Sequence, residues 1–316
     1  MRIVFFGTPK FAVPALEHLL AGPHAVAAVV TQPDRPSGRA RKTGPTPVKK
    51  RAMEAGLPVL QPEQPGDPAF LQILRKTGAD CAVVVAYGRI LPPALLQLFP
   101  RGTYNLHASL LPKYRGAAPI QWALIQGERE TGVTLFRLDD ELDHGPVLLQ
   151  RPCAIEPEDT GATLARKLSQ LGAGLVLEGL DLLERGGERL TAQEHSAATR
   201  APRLTKQDGV IDWRKEAVTL HNLVRGVQPW PGAVTWLESK MLKVLAARPE
   251  PNCQEPSAKP GTVISASPAD GIRVQTGKGQ LRIIELQPEG GTPLDTASFL
   301  RGHPIAPGAR LTSQPA

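Results

Sequence analysis

Short apolar runs alternate with amphipathic stretches in the N-terminal part of the chain. The apolar runs occupy residues 2–6, 25–30, 81–86 and 103–107. The first run is followed by Gly7-Thr8-Pro9 and then by an amphipathic stretch to about Leu20, which predicts a strand, a glycine turn and a helix. Because strands that alternate with helices form βαβ units, the pattern predicts an α/β fold with a Rossmann-like, mostly parallel sheet. Ligands of such sheets bind beyond the carboxyl ends of the strands.

The next stretch predicts a hairpin with a long loop. Strand-like runs at 131–138 and 146–150 lie on either side of the acidic loop DDELDHG at 139–145. A helical pattern from near Thr160 to Arg185 closes the first predicted domain, which we assign to residues 1–188. The polar segment that follows has no clear period, so residues 189–208 are expected to be a linker.

The last third of the chain changes character. After a helical pattern around 214–225, the sequence contains five short β-like runs: AVTWLE, KMLKVLAA, GTVISA, GIRVQT and QLRIIEL. Turn signals at 268–271 and 277–279 separate several of these runs. Short strands at this spacing predict a small OB-like β-barrel domain over residues 209–316.

Composition places the chain among globular proteins. Its 316 residues are 41% hydrophobic and 21% charged. No apolar run approaches the roughly 20 residues that span a bilayer, so no membrane association is expected. The opening run RIVFFGT is too short for the core of a signal peptide and lacks a cleavage-site pattern. A cytoplasmic location is therefore the expectation.

The spacing of cysteines and histidines argues against a metal site. The three cysteines, Cys81, Cys153 and Cys253, form no C-x-x-C pair, and the seven histidines include no H-E-x-x-H. No G-x-G-x-x-G follows the first strand, and SGRARKTG at 37–44 departs from the phosphate-loop pattern at Arg41. We therefore expect neither a metal site nor a dinucleotide site.

The net charge of +7 is unevenly distributed along the chain. Residues 1–51 carry nine Lys/Arg against two Asp/Glu, residues 52–199 carry 13 against 18, and residues 200–316 carry 15 against 10. Two basic regions therefore flank an acidic middle, as expected if a polyanion contacts both ends while chemistry takes place between them. The alternative is an uneven surface without functional meaning.

A pair of polar side chains marks the end of the strand predicted at 103–107. Asn105 and His107 are two residues apart, so they face the same side of that strand near its carboxyl end. The amide of Asn105 and a protonated His107 can both donate to an oxygen that becomes negative during a reaction at a carbonyl. Asp143 is the candidate partner of His107 because D-H-G-P ends the acidic loop. The alternative is that the polar pair satisfies backbone groups at a strand end.

The segments NLHASLLPKYRGAAPIQWAL and ETGVTLFRLDDELDHGPVL resemble the central signature of the folate-dependent formyltransferases. Five further segments narrow the resemblance to the branch that acts on methionyl-tRNA: FFGTPKFAVPAL, TQPDRPSGRARKTGPTPVK, VVVAYGRILP, RLTKQDGVIDW and QPWPGAVTW. The resemblance covers nearly the whole chain. It adds an expected activity to the fold and charge pattern inferred above.

The resemblance implies a reaction and catalytic roles. Members of this branch transfer a formyl group from N10-formyltetrahydrofolate, their cosubstrate, to the α-amine of methionine on initiator methionyl-tRNA. The catalytic residues of the family match Asn105, His107 and Asp143. The implied mechanism is direct attack by the neutral amine, with Asn105 and protonated His107 stabilising the oxyanion and Asp143 supporting His107 and proton transfer. The resemblance also implies a monomer.

The folate-binding residues implied by the resemblance fall into two groups. The first is the turn after the catalytic strand and comprises Ser109, Leu110, Leu111 and Pro112. The second is backbone around 87–91 together with the acidic loop, and comprises Tyr87, Gly88, Ile90, Leu91 and Asp140. The apolar Ile90 and Leu91 suit a flat heterocycle, whereas the alternative is ordinary packing under a loop.

The basic loop at 35–51 carries seven positive residues and no acidic residue. We expect this loop to contact phosphates and to become ordered on binding, with Thr46-Pro47 beginning the next helix. The resemblance implies contact with the acceptor end of tRNA through Arg35, Arg39, Arg41 and Lys42, and contact of the OB-like domain with the tRNA backbone. A solvated basic loop without a partner is the alternative.

Three other functions stay open at this point. The chain can be a formyltransferase acting on glycinamide ribonucleotide or on an amino sugar nucleotide, although such enzymes do not need the basic loop or a basic barrel. It can hydrolyse formyltetrahydrofolate, with water in place of the amine. It can also be a nucleic-acid-binding protein whose catalytic domain is a scaffold, although the presence of Asn105, His107 and Asp143 argues against this possibility.

Overall fold

The structure, a computed structural model, describes residues 1–37, 42–250 and 258–315 and divides the chain into two compact units. Unit 1 comprises Met1–Pro119, Glu130–Ala154 and Ala165–Pro202. Unit 2 comprises Ile120–Arg129, Ile155–Leu164 and Arg203–Ala316. The domain boundaries expected at 188 and 208 stay a prediction.

A seven-stranded sheet forms the core of unit 1. The strands of unit 1 are β1 (Arg2–Gly7), β2 (Ala25–Val30), β3 (Pro36–Ser37), β4 (Lys42–Thr43), β5 (Val59–Leu60), β6 (Cys81–Val85), β7 (Thr103–His107), β8 (Arg115–Gly116), β9 (Glu130–Arg137), β10 (Val147–Ala154) and β11 (Arg200–Ala201). The large sheet has the order β10-β9-β7-β6-β1-β2-β5, and β3–β4 and β8–β11 form separate pairs.

The pairing directions agree with the sequence pattern. Strands β5, β2, β1, β6 and β7 are mutually parallel, and every residue of β6 is buried, as expected for a strand covered on both faces. Strand β9 is antiparallel to both β7 and β10. The α/β fold with a mostly parallel sheet and the hairpin around the acidic loop are therefore confirmed.

The described residues of the two units form eight α-helices. They are α1 (Val13–Ala21), α2 (Pro47–Glu54), α3 (Pro68–Lys76), α4 (Pro93–Leu96), α5 (Pro119–Ile125), α6 (Gly161–Glu184), α7 (Ala217–Gly226) and α8 (Thr296–Gly302). At the start of α2 the side chain of Thr46 accepts a hydrogen bond from the backbone N–H of Lys49 at 3.1 Å, and Pro47 takes the first helical position. The helix start predicted at Thr46-Pro47 is confirmed.

An antiparallel sheet forms the core of unit 2. Its strands are β12 (Ala233–Leu237), β13 (Lys240–Glu250), β14 (Val263–Ser267), β15 (Gly271–Gln275), β16 (Gln280–Pro288), β17 (Leu294–Asp295) and β18 (Leu311–Thr312). The order is β14-β15-β16-β13-β12-β18, with β17 paired to β16. A bridge between Thr262 and Arg310, and a bond from the N–H of Val263 to the carbonyl of Ala309 at 2.8 Å, join the two edges.

These edge contacts give a small, partly open barrel, as the sequence predicts. The five predicted runs correspond to β12–β16, whereas the expectation of five strands misses β17 and β18. Both missed strands are only two residues long, so hydrophobic periodicity cannot reveal them. Within the described part of the chain, no helix is long and apolar enough to cross a membrane.

The polar segment that follows α6 makes several contacts within unit 1. Thr191 forms an antiparallel bridge with Val147, and β11 pairs in parallel with β8. The side chain of Thr199 accepts a hydrogen bond from the N–H of Tyr114 at 2.8 Å. We call residues 191–201 the strap, because they connect the end of the acidic loop to the segment that contains β8.

Candidate active site

Asn105 and His107 lie on β7, where the parallel part of the sheet meets the antiparallel hairpin. Strand β7 pairs with parallel β6 on one side and with antiparallel β9 on the other. As predicted, the two side chains share a face because they are two positions apart on one strand. His107 is 6% exposed and Asn105 is half-buried. Within the described residues the amide of Asn105 forms no side-chain hydrogen bond, so its N–H groups are available to a ligand.

The two nitrogens of the His107 ring face different partners. Nε2 lies 2.9 Å from the carbonyl oxygen of Tyr114. A carbonyl can only accept, so Nε2 carries a hydrogen in this arrangement. Nδ1 lies 3.7 Å from Oδ2 of Asp143, which is close enough for an ion pair when the ring is protonated but is longer than a hydrogen bond. His107 and Asp143 are therefore brought together, as the sequence predicts.

Asp143 is held in an uncommon backbone conformation. It is 8% exposed, and its φ of +51° lies in the left-handed region that few residues other than glycine adopt. Its Oδ2 accepts a hydrogen bond from the backbone N–H of Gly116 at 2.8 Å. Gly145 closes the same turn, since a Cβ at this position would lie 1.9 Å from the carbonyl oxygen of Arg137.

Sequence reasoning missed the side chain that bonds to this turn. Nε2 of Gln193, in the strap, lies 2.9 Å from the carbonyl oxygen of Asp143 and 2.7 Å from that of Gly145. Oε1 of Gln193 accepts from Arg115, next to Gly116. Gln193 is 50 positions from Asp143 along the chain and lies in a stretch without periodicity, so no local signal indicates these contacts.

The turn after β7 is bound closely to the hairpin. Thr134 Oγ1 donates to the carbonyl of Ser109 at 2.6 Å and accepts from the N–H of Leu111 at 3.1 Å. The carbonyl of Leu111 also accepts from the amide of Gln150 at 2.8 Å. The Ser109 hydroxyl donates to the carbonyl of Lys113 at 2.6 Å. The predicted residues Ser109, Leu110, Leu111 and Pro112 thus form a fixed turn directly after β7.

Residues 87–91 follow β6, and those after Tyr87 present unpaired backbone. The carbonyl of Tyr87 already accepts from Thr8 Oγ1 at 3.0 Å and from Gln32 Nε2 at 2.8 Å. Gly88 has a φ of +83°, and in the described structure the backbone N–H and C=O groups of 88–91 form no hydrogen bonds. Ile90 is 86% exposed, whereas Leu91 is buried. The four residues therefore combine a large exposed aliphatic side chain with free backbone groups.

A cavity of about 360 Å³ lies between α4 and the acidic loop. Its lining is Pro93, Leu96, Gln97, Phe99, Pro100, Gly102, Thr103, Arg137, Leu138, Asp139 and Asp140. Asp140, a predicted folate contact, thus lines this cavity, whereas Asn105 and His107 do not. The hydroxyl of Thr103 is buried and has no hydrogen-bond partner among the described residues. The same is true of the Tyr87 hydroxyl, and burial raises the pKa of that phenol.

The basic loop is described only in part. Arg39 and Arg41 lie outside the described residues, and for Lys42 the structure gives the backbone, which belongs to β4. Arg35 is exposed. Just before this loop, Asp34 forms an ion pair with Lys49, and hydrogen bonds from Lys49 and Gln61 lower the pKa of the Asp34 carboxyl. The expected tRNA contacts of the loop stay a prediction.

Unit 2 carries three arginines side by side on the outer face of its barrel. Arg248 on β13 pairs directly with Arg282 on β16, and Arg282 pairs with Arg273 on β15. Glu158 and Glu250 form ion pairs with Arg248 and Arg273. Among the described residues no carboxylate pairs with Arg282, and its Nε is buried without a partner. Since like charges in opposed positions destabilise a sheet, the arrangement favours a functional role for this arginine row.

Among the described residues, one group of possible metal ligands occurs at the amino ends of β1 and β2, the end of these strands opposite to their carboxyl ends. His24, Asp181 and Glu184 have ligand atoms within 4.8 Å of one another. His24 Nε2 already bonds to Asp181 at 3.0 Å, and Glu184 pairs with the amine of Met1. Hydrogen bonding to that amine is the main cause that lowers the pKa of Glu184. These contacts with one another and with Met1 make the three residues part of an ion-pair cluster.

Two family models cover most of the chain. Residues 1–180 match the family described as formyl transferase, and residues 203–304 match the formyl transferase C-terminal domain. The methionyl-tRNA formyltransferase of Desulfotalea psychrophila is 49% identical over 305 residues, covering 96% of this chain and 94% of the relative. That of Heliobacterium modesticaldum is 46% identical, covering 98% of this chain and 100% of the relative.

Solved structures share the fold at low identity. The N-formyltransferase from Helicobacter canadensis, in complex with folinic acid and dTDP-3-aminofucose, is 17% identical with a TM-score of 0.65, covering 88% of this chain and 97% of that chain. HypX from Aquifex aeolicus in complex with tetrahydrofolic acid is 21% identical with a TM-score of 0.62, covering 95% of this chain and 47% of that chain. These likenesses establish the fold.

Proposed function

The chain belongs to the methionyl-tRNA formyltransferase family, and from that premise we propose that it transfers a formyl group from N10-formyltetrahydrofolate to the α-amine of methionine on initiator methionyl-tRNA. The observation that carries this proposal is the assembly of Asn105, His107 and Asp143 at the carboxyl end of β7. Two hydrogen-bond donors share one face there, and a buried carboxylate lies 3.7 Å from the second nitrogen of His107.

Asn105 and His107 stabilise the developing oxyanion. The amide of Asn105 has no competing side-chain hydrogen bond among the described residues, so it can donate to the formyl oxygen without giving up another contact. Nε2 of His107 is occupied by the Tyr114 carbonyl, which leaves Nδ1 as the donor to the reacting group. Each preorganised donor of this kind contributes about 3 kcal/mol to stabilising a transition state.

Asp143 acts on the proton of His107. Its carboxylate lies beside Nδ1 in a buried site, so it is placed to orient the ring and to relay a proton to or from that nitrogen. The amine nitrogen forms a bond to the formyl carbon, the bond from that carbon to N10 breaks, and one proton passes from the amine to N10. We assign this transfer to His107 and Asp143, directly or through one water.

The folate is proposed to bind between residues 88–91 and the acidic loop. The free backbone groups of 88–91 suit the amide-like edge of the pteridine, and Ile90 with Leu91 suits its faces. The 360 Å³ cavity reached by Asp140 has the volume of a small ligand site. The buried hydroxyl of Thr103 in its wall offers a polar contact that no described residue uses. The turn at Ser109–Pro112 would border the same ligand.

The tRNA is proposed to contact two basic surfaces. The loop residues Arg35, Arg39, Arg41 and Lys42 would bind the acceptor end. The arginine row of Arg248, Arg282 and Arg273 would bind backbone phosphates, because guanidinium groups pair well with phosphate oxygens. Both surfaces would bind phosphates whatever the tRNA sequence, so these contacts account for affinity rather than for the choice of initiator tRNA.

The proposal is tested by offering three acceptors in parallel. Labelled N10-formyltetrahydrofolate is incubated with the protein and methionyl initiator tRNA, glycinamide ribonucleotide or an amino sugar nucleotide. Label on the tRNA alone is the expected result. Label on a small molecule would agree with formyl transfer but would show that methionyl-tRNA is not the acceptor. Release of the label as formate would identify a hydrolase. Tight tRNA binding without any transfer would identify a binding protein.

A further inference from the structure

The side chain of Gln193 is buried and fully hydrogen-bonded. It is 7% exposed, its Nε2 donates to the carbonyls of Asp143 and Gly145, and its Oε1 accepts from Nε and Nη2 of Arg115 at 3.2 and 2.7 Å. Carbonyls only accept and a guanidinium only donates, so the contacts themselves fix which end of the amide carries nitrogen. This one side chain therefore joins two separate segments of the chain.

The first segment is the turn that carries Asp143. In this turn Gln193 bonds to the backbone carbonyls of Asp143 and Gly145, which lie on either side of His144. The left-handed φ of Asp143 is uncommon outside glycine, although aspartate and asparagine tolerate it better than most residues, and contacts from the surroundings help to hold it. The two hydrogen bonds from Gln193 are contacts of that kind, since they fix the carbonyls of Asp143 and Gly145.

The second segment contains the two backbone groups that touch the catalytic pair. Arg115 lies between Tyr114, whose carbonyl contacts His107, and Gly116, whose N–H bonds to the carboxylate of Asp143. Pairing of β8 with β11 in the strap holds this segment in place. Gln193 is thus a side chain that connects the backbone of Asp143 with the segment whose backbone binds its carboxylate.

We propose that Gln193 is a positioning residue for the transfer reaction. Its amide holds the Asp143 turn so that the carboxylate faces Nδ1 of His107, and it acts on the chemistry only through Asp143. This inference rests on the proposed function, because its test measures kcat for formyl transfer. It also gives the strap a role in the active site, beyond that of a connection between two parts of the chain.

The test is a double-mutant cycle between Gln193→Ala and Asp143→Asn. Asparagine tolerates the left-handed backbone and keeps the size of the aspartate, so Asp143→Asn removes the charge alone. In the parent, Gln193→Ala should lower kcat roughly 10- to 100-fold while the Kd values for folate and tRNA change little. In the Asp143→Asn background the same substitution should change kcat less than about twofold. Fully additive losses would overturn the proposal.

Gln193→Glu distinguishes the loss of the hydrogen bonds that Gln193 donates from the loss of its side-chain volume. It keeps the size of the side chain and can still accept from Arg115, but it offers no donor to the carbonyls of Asp143 and Gly145. We expect it to lose kcat as Gln193→Ala does. Retention of parental kcat by the glutamate variant would contradict the proposal, since it would confine the role of Gln193 to its contact with Arg115.

Gln275 supplies a matched control in the barrel. It is 2% exposed, and its Nε2 also bonds to two backbone carbonyls, those of Thr276 and Gly279, at 3.0 and 3.1 Å. Gln275→Ala should therefore affect folding to a similar degree while leaving kcat near that of the parent. A similar loss of kcat in both variants would show that general destabilisation, rather than positioning, is responsible.

Hydrogen exchange gives a second readout that does not need turnover. The N–H of Gly116 bonds to Asp143, so Gln193→Ala should speed exchange in residues 114–118 and 139–145, and Gln275→Ala should not. Unchanged exchange in both peptides would overturn the proposal even if activity is lost. If the parent protein itself fails to formylate methionyl-tRNA, the proposed function is wrong, whereas altered exchange would still assign Gln193 to the turn.

Discussion

Tyr114 and Asp143 contact different nitrogens of the His107 ring, and both have a left-handed backbone. The φ angles are +61° for Tyr114 and +51° for Asp143. The Tyr114 carbonyl fixes a hydrogen on Nε2, which leaves Nδ1, beside Asp143, as the nitrogen that exchanges a proton in the proposed transfer. Two uncommon backbone conformations thus determine which groups face the two nitrogens of His107.

His107→Ala should remove transfer and keep binding. The substitution deletes a donor to the oxyanion, so we expect kcat to fall by about 10²–10³-fold. Loss of the His107 imidazole leaves the basic loop and the barrel unchanged, so the Kd for methionyl-tRNA should stay within about twofold of the parent. Single-turnover kinetics and filter binding measure the two effects. Equal losses of transfer and of tRNA affinity would contradict the role of His107.

Gly145→Ala should disturb the acidic loop. The added Cβ would lie 1.9 Å from the carbonyl oxygen of Arg137, so the backbone must shift and move Asp143. Because a shift of about 1 Å in a catalytic group can cost on the order of 100-fold, we expect a loss of kcat of that order. Gly174→Ala in α6 is the control, since no atom lies within 4 Å of its Cβ, and it should stabilise the fold by about 0.5–1 kcal/mol.

Local patterns in the sequence predict much of the fold and the position of the polar pair. Asn105 and His107 share a face because a strand repeats every two residues, and Thr46-Pro47 begin a helix because both act on the nearest turn. Strand periodicity and helix capping both relate residues that are only a few positions apart. The short strand β18 cannot be predicted in this way because two residues show no periodicity.

The contacts that hold Asp143 near His107 involve residues far apart in sequence. Gly116 bonds to Asp143 across 27 positions, and Gln193 does so across 50. Each contact depends on the packing of the acidic loop against the strap, which a single sequence does not reveal. The D-H-G-P ending of the acidic loop indicated Asp143 as a partner of His107 and the resemblance to formyltransferases agreed, but neither indicated the groups that hold Asp143 in place.

Cys81 should resist alkylation in the folded protein. Its thiol is 0% exposed in β6, and burial raises its pKa to about 12. The thiol is therefore protonated at pH 8 and lacks the nucleophilic thiolate. Iodoacetamide under native conditions, followed by peptide mass spectrometry, should leave Cys81 unmodified, whereas denaturation before labelling should modify it. Rapid native labelling of Cys81 would contradict its burial.

Charge reversal at Arg41 and Lys42 tests the basic loop. Arg41→Glu with Lys42→Glu should raise the KM for methionyl-tRNA and flatten its dependence on salt, because fewer counterions are released when fewer phosphates are bound. The affinity for folate should not change. Unaltered kinetics with tRNA over a range of salt concentrations would contradict contact between this loop and phosphates.

Arg282→Gln should weaken tRNA binding through one lost phosphate contact. Arg282 lies between Arg248 and Arg273, and among the described residues it has no carboxylate partner, so its charge is available to a polyanion. We expect the slope of log Kd for tRNA against log salt concentration to fall by about 1. Arg214→Gln is the control because Arg214 is an exposed arginine of the same unit that lies outside the arginine row. Equal slopes for the parent and both variants would exclude the arginine row from the tRNA interface.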